Sequence, residues 1–290
     1  MGKIRTRNQY QAEFVKCIQK FGGKYQTWEI FADFISMFAC AISNGIDRVH
    51  FKPREEMYMQ IIRKYTNEEQ AIFPEMTSHV VIGMEKSLDS DFLGELYMTM
   101  NLGSHWKGQF FTPYSVCKLT ATLQIKDIEQ GIKDNGFVSV NDPACGAGAL
   151  LIAAANTAAQ KIKQLNWQNH ILFVGQDIDA VAAKMCYIQL SLLGCAGYVK
   201  IGDSLAKPMT TNEAMYEMTK EDSCYWFTPM YFNDIWSGRR IFHTFDKIMQ
   251  KSITIKNNDE MEKTVQSIEN SQDIDRNEFT TEKNGQLSLF

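Results

Sequence analysis

The hydrophobic pattern changes period along the chain. Over Thr27 to Ser43 the apolar residues Phe31, Phe34, Ile35, Phe38 and Ile42 recur every three or four positions, the spacing of one buried helix face. Thr27 is placed to cap that helix. Further helices are expected over Arg54 to Tyr65, over Glu68 to Lys86 with an interruption near Pro74, and over Asp91 to Met100. These predict an amino-terminal helical domain, residues 1–107, whose aromatic stripe is core packing.

Beyond it the period shortens. Phe137 to Val140, Ile171 to Gly175 and Tyr198 to Ile201 are short apolar, β-branched runs of the kind that form buried strands. The segments between them, Ala149 to Ala159 and Ala180 to Leu193, are rich in alanine and leucine and read as helices. Strand alternating with helix predicts an α/β domain with a parallel sheet, over residues 108–250. Before the first strand, Thr112 as N-cap and Pro113 at the first helical position predict a helix running to about Gly131. Cys224 to Phe232 can supply a fourth strand.

Candidate chemistry collects at the strand ends. After the first strand stands Asp142-Pro143-Ala144-Cys145-Gly146-Ala147-Gly148. Glycines there permit a tight turn and let a ligand approach the backbone N–H groups and the positive end of the following helix. A Gly-x-Gly pair alone also suits any strand-to-helix turn. The second strand ends in Gln176-Asp177-Ile178-Asp179, and an acid at that tip can accept two ribose hydroxyls. Asp179 is better placed to cap the next helix, and as bare residues both acids can be caps. The third strand delivers Gly202-Asp203-Ser204-Leu205.

The string Asp-Pro-Ala-Cys-Gly-Ala-Gly resembles the S-adenosylmethionine loop of amino-group DNA methyltransferases, especially the adenine-specific modification subunits of type I restriction systems. Gly108-Gln109-Phe110-Phe111-Thr112-Pro113, about thirty residues earlier, resembles a second string of that family in the family's order. The resemblance covers about residues 100 to 205. It implies a Rossmann-like methyltransferase sheet and S-adenosylmethionine as cofactor. It assigns Phe111 and Thr112 to the methionine end, Asp142, Ala144, Cys145, Gly146 and Gly148 to the loop, Asp177 to the ribose and Asp203 to the cofactor's adenine, with Pro113, Ile178 and Ser204 as further cofactor-binding candidates. DNA is the implied substrate, adenine N6 the implied acceptor.

The pattern then breaks. The family places Asn or Asp, two prolines and an aromatic residue after its fourth strand, to hydrogen-bond and stack a flipped base. Here the six prolines are never adjacent. The nearest candidate is Phe227-Thr228-Pro229-Met230-Tyr231-Phe232, in which Thr228, Pro229 and Tyr231 are the catalytic candidates and structural packing is the competing use. The sheet is also short of the family's seven strands, so its open edge needs covering by the helical unit, by Tyr225 to Phe245, or by another chain, a second subunit or a second copy. A non-catalytic binding protein descended from such an enzyme is the alternative reading.

Composition changes this picture little. The net charge of −4 does not mark a nucleic-acid binder, yet residues 1–64 carry eleven Lys and Arg against six acids. Such a region can touch phosphates or be a solvated surface. The seven cysteines show no Cys-x-x-Cys spacing, which argues for reduced, buried thiols in a cytoplasmic protein and against a zinc site. The most apolar stretch, Ile30 to Ile46, is interrupted by Asp33 and Asn44 and is too short to cross a bilayer.

From Lys251 to Gly285 the chain is polar and reads as a flexible linker. It ends in Gln286-Leu287-Ser288-Leu289-Phe290, apolar side chains that suit a partner's groove or dock back on their own domain. The five residues resemble the pentapeptide by which bacterial replication and repair proteins bind the β sliding clamp. That comparison makes Gln286 a polar anchor and Leu287 a smaller contact, with Leu289 and Phe290 filling the main pocket.

Overall fold

A computed structural model describes residues 8–102, 110–125, 128–209, 224–245 and 248–249. The chain divides into two compact units, Met1–Gly238 and Arg239–Phe290. The described part of the second, residues 239–245 and 248–249, is helical. Gly108 and Gln109 of the family string, the linker and the terminal pentapeptide lie outside the described residues.

Six helices open the first unit: α1 (Gln9–Gln19), α2 (Thr27–Asn44), α3 (Phe51–Ile62), α4 (Asn67–Gln70), α5 (Ile72–Lys86) and α6 (Phe92–Thr99). The period seen in the sequence is the buried face of α2, where Phe31, Phe34, Ile35 and Phe38 are all core residues. Thr27 is the first residue of that helix, and Gln26 takes the cap. The interruption falls at Ala71, three residues before Pro74, which α5 accepts within its first turn. Helix α1 lacks a long apolar run and is held by Phe14, Cys17 and Ile18.

The single helix expected from Thr112 is two, α7 (Tyr114–Gln124) and α8 (Ile128–Asn135). Pro113 is the capping residue and Thr112 stands outside. The sheet follows as β1 (Val138–Asp142), α9 (Ala149–Lys161), β2 (Ile171–Asp177), α10 (Ala180–Leu192), β3 (Ala196–Ile201) and β4 (Tyr225–Phe227). Its order is β1-β2-β3-β4, the first three strands parallel and β4 antiparallel to β3. The fold is thus α/β, a mostly parallel sheet with a helical region preceding it in the chain.

Helix α10 is buried over nine consecutive residues, Ala182 to Leu190. It packs on β2 and β3 and is covered by α2, α6 and α9. A helix enclosed on all sides can be apolar all round, and its alanines allow that close approach. Among the described residues β1 forms one edge of the sheet, with Ser139 and Asn141 exposed. Nearby α7 exposes Val116, Leu119 and Leu123.

The opposite edge is built by the helical region. Arg54, on α3, is buried; it donates to Asp47 Oδ2 at 2.7 Å, to Ser43 Oγ, and to the carbonyl of Tyr225 in β4. Its guanidinium lies 4.3 Å from the ring centre of Trp226. The basic amino-terminal region is therefore partly spent within the fold. Arg54 is internal, and Lys16, Lys20, Lys24 and Lys64 pair with Glu13, Glu75, Glu69 and Asp33. No helix among the described residues is long and apolar enough to cross a membrane.

Candidate cofactor site

Strand β1 ends at Asp142, and the chain reverses through Pro143 to Gly148 into α9. Gly146 (φ 54°) and Gly148 (φ 96°) both take the left-handed conformation that favours glycine. A Cβ on Gly148 would stand 2.8 Å from Cys186 Sγ, and one on Gly146 would stand 3.0 Å from the Phe111 ring. The ring of Phe111 therefore lies directly on the loop. Neighbouring backbone holds the turn in place: Cys145 N–H donates to Gln176 O at 2.9 Å, and Gly148 N–H to Cys145 O at 2.7 Å.

The two family strings meet here. A cavity of about 250 Å³ is lined by Phe111 and Thr112 from one, and by Asp142, Ala144, Cys145 and Gly146 from the other. A second cavity, of about 630 Å³, opens on the far side of Phe111, with Thr112 and Pro113 on its wall. Cys145 is 5 % exposed. Its thiol is pushed well above the ordinary range by a bond with Cys186 and by burial, so the residue serves the loop through its backbone.

Register brings the acids to adjoining strand ends. Asp142 pairs with Gly175, and Asp177 with Ile201 just before Asp203. Asp142 Oδ1 accepts the Ala144 N–H at 3.1 Å. Burial raises the pKa of the Asp142 carboxyl; the Ala144 bond opposes this and the nearby Asp177 charge adds to it. Asp177 binds the loop itself, Oδ2 accepting the Gly146 N–H at 2.8 Å and Oδ1 the Asp179 N–H at 2.8 Å. Each oxygen keeps a further lone pair for a ligand. Asp179 is the N-cap of α10, accepting from Val181 and Ala182. Asp203 is exposed and turns its own loop, accepting from Leu205 at 2.8 Å. Ile178 is 72 % exposed beside Asp177, and Ser204 is half-buried.

Two glutamines that the motif reading passed over hold this arrangement. Gln189, fully buried on α10, donates to the loop carbonyl of Ala147 at 2.8 Å and to Asp91 Oδ1 at 2.7 Å, and accepts from Leu93 N–H at 3.1 Å. It bolts the glycine loop to the start of α6. Gln176 donates to Lys207 O at 3.0 Å and accepts from Met209 N–H at 3.2 Å, fixing the loop after β3. The available signal was a lone amide inside an apolar run.

Thr228, Pro229 and Tyr231 are not brought to the crevice. Strand β4 runs antiparallel, so Thr228 lies beside Gly197, at the amino end of β3. The crevice is at the carboxyl end, roughly 16 Å away at the usual strand rise. Thr228 is fully buried, donates to Cys195 O at 2.7 Å, and accepts from Gly197 N–H at 3.0 Å. Tyr231 is fully buried, stacked on Phe227 with ring centres 5.3 Å apart. Pro229 opens a short 3₁₀ turn. All three pack the sheet edge.

The profile of the N-6 DNA methylase family matches residues 89–274, more than half the chain. The chain belongs to that family. Membership makes S-adenosylmethionine its cofactor. Two relatives from Methanocaldococcus jannaschii are similar over parts of this methylase. The methylase subunit of type I restriction enzyme MjaIX is 30% identical over 33% of the chain and 15% of the relative. That of MjaVIII is 35% identical over 41% of the chain and 19% of the relative. The matched stretches thus span less than a fifth of either relative. A solved structure from Listeria monocytogenes, described as a class I S-adenosylmethionine-dependent methyltransferase, superposes with a TM-score of 0.39 at 16% identity, covering 79% of this chain and 69% of that one.

The site's chemistry fits the cofactor. The Asp142 carboxylate and the Phe111 ring on the wall of the smaller cavity suit a cationic, amino-acid-like end, and Asp177 stands just behind the loop, bonded to Gly146. Exposed Ile178 and Asp203 continue the surface along the strand ends toward a ribose and a flat base. When bound, the cofactor supplies an electrophilic methyl on sulfonium.

Proposed function

We propose that this N-6 DNA methylase chain serves an S-adenosylmethionine-dependent transfer to adenine N6 in DNA, in the cytoplasm, and that its carboxyl-terminal pentapeptide brings it to the β sliding clamp. What supports the reading is the meeting of Phe111–Thr112 with the Asp142–Gly148 loop around one cavity, inside a chain whose family is that of the N-6 DNA methylases. In this reading Asp142 faces the cationic end of the cofactor and Asp177 takes the ribose while bracing Gly146. Phe111 and Thr112 close over the methionine side, and Asp203 with Ser204 meets the cofactor's adenine. The reading keeps residues 1–107 as a helical domain and 108–250 as the methyltransferase domain.

The position of Thr228 favours a second reading of the transfer step. With the Thr228-Pro229-Met230-Tyr231 candidate at the far end of the sheet, groups that hold the target amine come from another chain, or the protein binds cofactor and clamp without transferring. Labelled cofactor incubated with the full chain and mixed duplex DNA tests this. Label on adenine supports the enzyme. No label on DNA, with cofactor binding shown by calorimetry, leaves the second reading. Asp177→Ala should lower cofactor affinity at least about tenfold, the value of one to two charge-assisted bonds; unchanged affinity removes the ribose assignment.

A further inference from the structure

We propose that a cavity beside the cofactor crevice, between the start of α2, the end of α6 and the first turn of α10, is a nucleobase pocket for a base presented by a nucleic-acid strand. The inference rests on the nucleic-acid substrate proposed above. The cavity measures about 560 Å³, within the range of small-molecule sites. Its walls include the aromatic residues Trp28, Phe31 and Tyr97, and its polar residues include Gln26, Thr27, Asn101 and Asp179.

Trp28 stands out. The neighbouring aromatic residues of α2, Phe31, Phe34 and Phe38, are core residues, while Trp28, one turn before them, is 59 % exposed. Its ring is not needed to fill the bundle and forgoes the large burial an indole usually obtains. Phe31 and Tyr97 form the opposite side, with ring centres 5.7 Å apart. Tyr97 and Asp179 both line the cavity, and burial together with the Asp179 charge holds the Tyr97 phenol above its ordinary range. Aromatic faces with amide and carboxylate edges suit a base, which stacks through its face and bonds through its rim.

Other occupants fit less well. An apolar ligand would forgo the hydrogen bonds that the Gln26 and Asn101 amides offer. A phosphate finds no cation among the described lining residues, none of which is Lys or Arg. The cofactor has its own place: none of Asp142, Gly146 and Asp177 borders this space, and the Tyr97–Phe111 ring pair, centres 5.3 Å apart, stands between the two. Yet Asp179 lies two residues past Asp177, so a base held here is adjacent to the crevice.

The test uses the full chain and a fluorescent single-stranded adenine-containing oligonucleotide, with anisotropy read in saturating S-adenosylmethionine. Trp28→Ala should weaken oligonucleotide binding by between about fivefold and a hundredfold, the range set by one base–aromatic stack. Trp28→Phe should retain most of it. Asn101→Gly, which preserves the left-handed backbone at that position (φ 54°), should weaken it less. Cofactor affinity by calorimetry should stay within twofold in all three. Unchanged oligonucleotide binding by Trp28→Ala overturns the pocket while leaving the methylase reading intact. A loss of cofactor affinity instead would assign the cavity to the cofactor and also overturn it. A wild-type chain that binds cofactor but no oligonucleotide removes the nucleic-acid reading and the pocket with it.

Discussion

Asp142 and Asp177 face one another across a loop that has no cation of its own, and this has a measurable consequence. The folded protein raises the Asp142 pKa. Its contribution to stability is therefore fully present below the unfolded carboxyl pKa and is lost as pH rises through the folded value. A cationic ligand reverses the balance, because it favours the ionised carboxylate. Cofactor binding should then release protons and strengthen as pH rises through the raised Asp142 pKa, by at most about tenfold per pH unit, before levelling off. Calorimetry across pH 4 to 8 in two buffers of different ionisation enthalpy checks this. Asp142→Asn should flatten the profile; a wild-type profile already flat would show that the cationic end lies elsewhere. At this scale the sequence was readable where a residue type is required by backbone geometry, as at Gly146 and Gly148. It was mute for Gln189 and Gln176, because an amide in an apolar run looks the same whichever carbonyl it reaches.

The elements were legible wherever burial imposes a period, which is why α2, α9, α10 and the three parallel strands follow from pattern alone. What pattern could not say is on which edge β4 lies. Tyr225–Phe227 is apolar on either side of the sheet, and the decision is made by Arg54, a residue 171 positions earlier that donates to the Tyr225 carbonyl. Its partner Asp47 is fully buried. Burial raises the Asp47 pKa, but bonds from His50 and Arg54 outweigh that and hold it below the ordinary value. Stability from Asp47 is accordingly present above the unfolded pKa and lost as pH falls through the depressed one. Arg54→Ala should cost about 3 to 5 kcal/mol in urea denaturation, since it removes the guanidinium paired with a buried carboxylate and leaves His50 as its remaining side-chain partner. Replacing Asp47 by Asn in the same background should recover part of that loss. No recovery would mean that the cation–π contact with Trp226 and the Tyr225 carbonyl bond, rather than the charge pair, hold the edge.

For the molecule as a whole, the cofactor crevice and the proposed clamp peptide are separated along the chain. The family match ends at residue 274, so the pentapeptide 286–290 lies outside the body that makes this a methylase. Affinity for a clamp would then reside in the peptide itself. Leu289 and Phe290, if buried in a partner's groove, are each worth about 1.5 to 3 kcal/mol. Losing both corresponds to more than a hundredfold in affinity. The expected outcome is that the chain is retained on immobilised bacterial β sliding clamp, that Leu289→Ala with Phe290→Ala abolishes retention, and that cofactor affinity is unchanged. Gln286→Ala should weaken retention less, since it removes one polar anchor and no buried apolar surface. Undiminished retention of the double variant would transfer the clamp contact to the folded body, and the terminal apolar residues would need another partner.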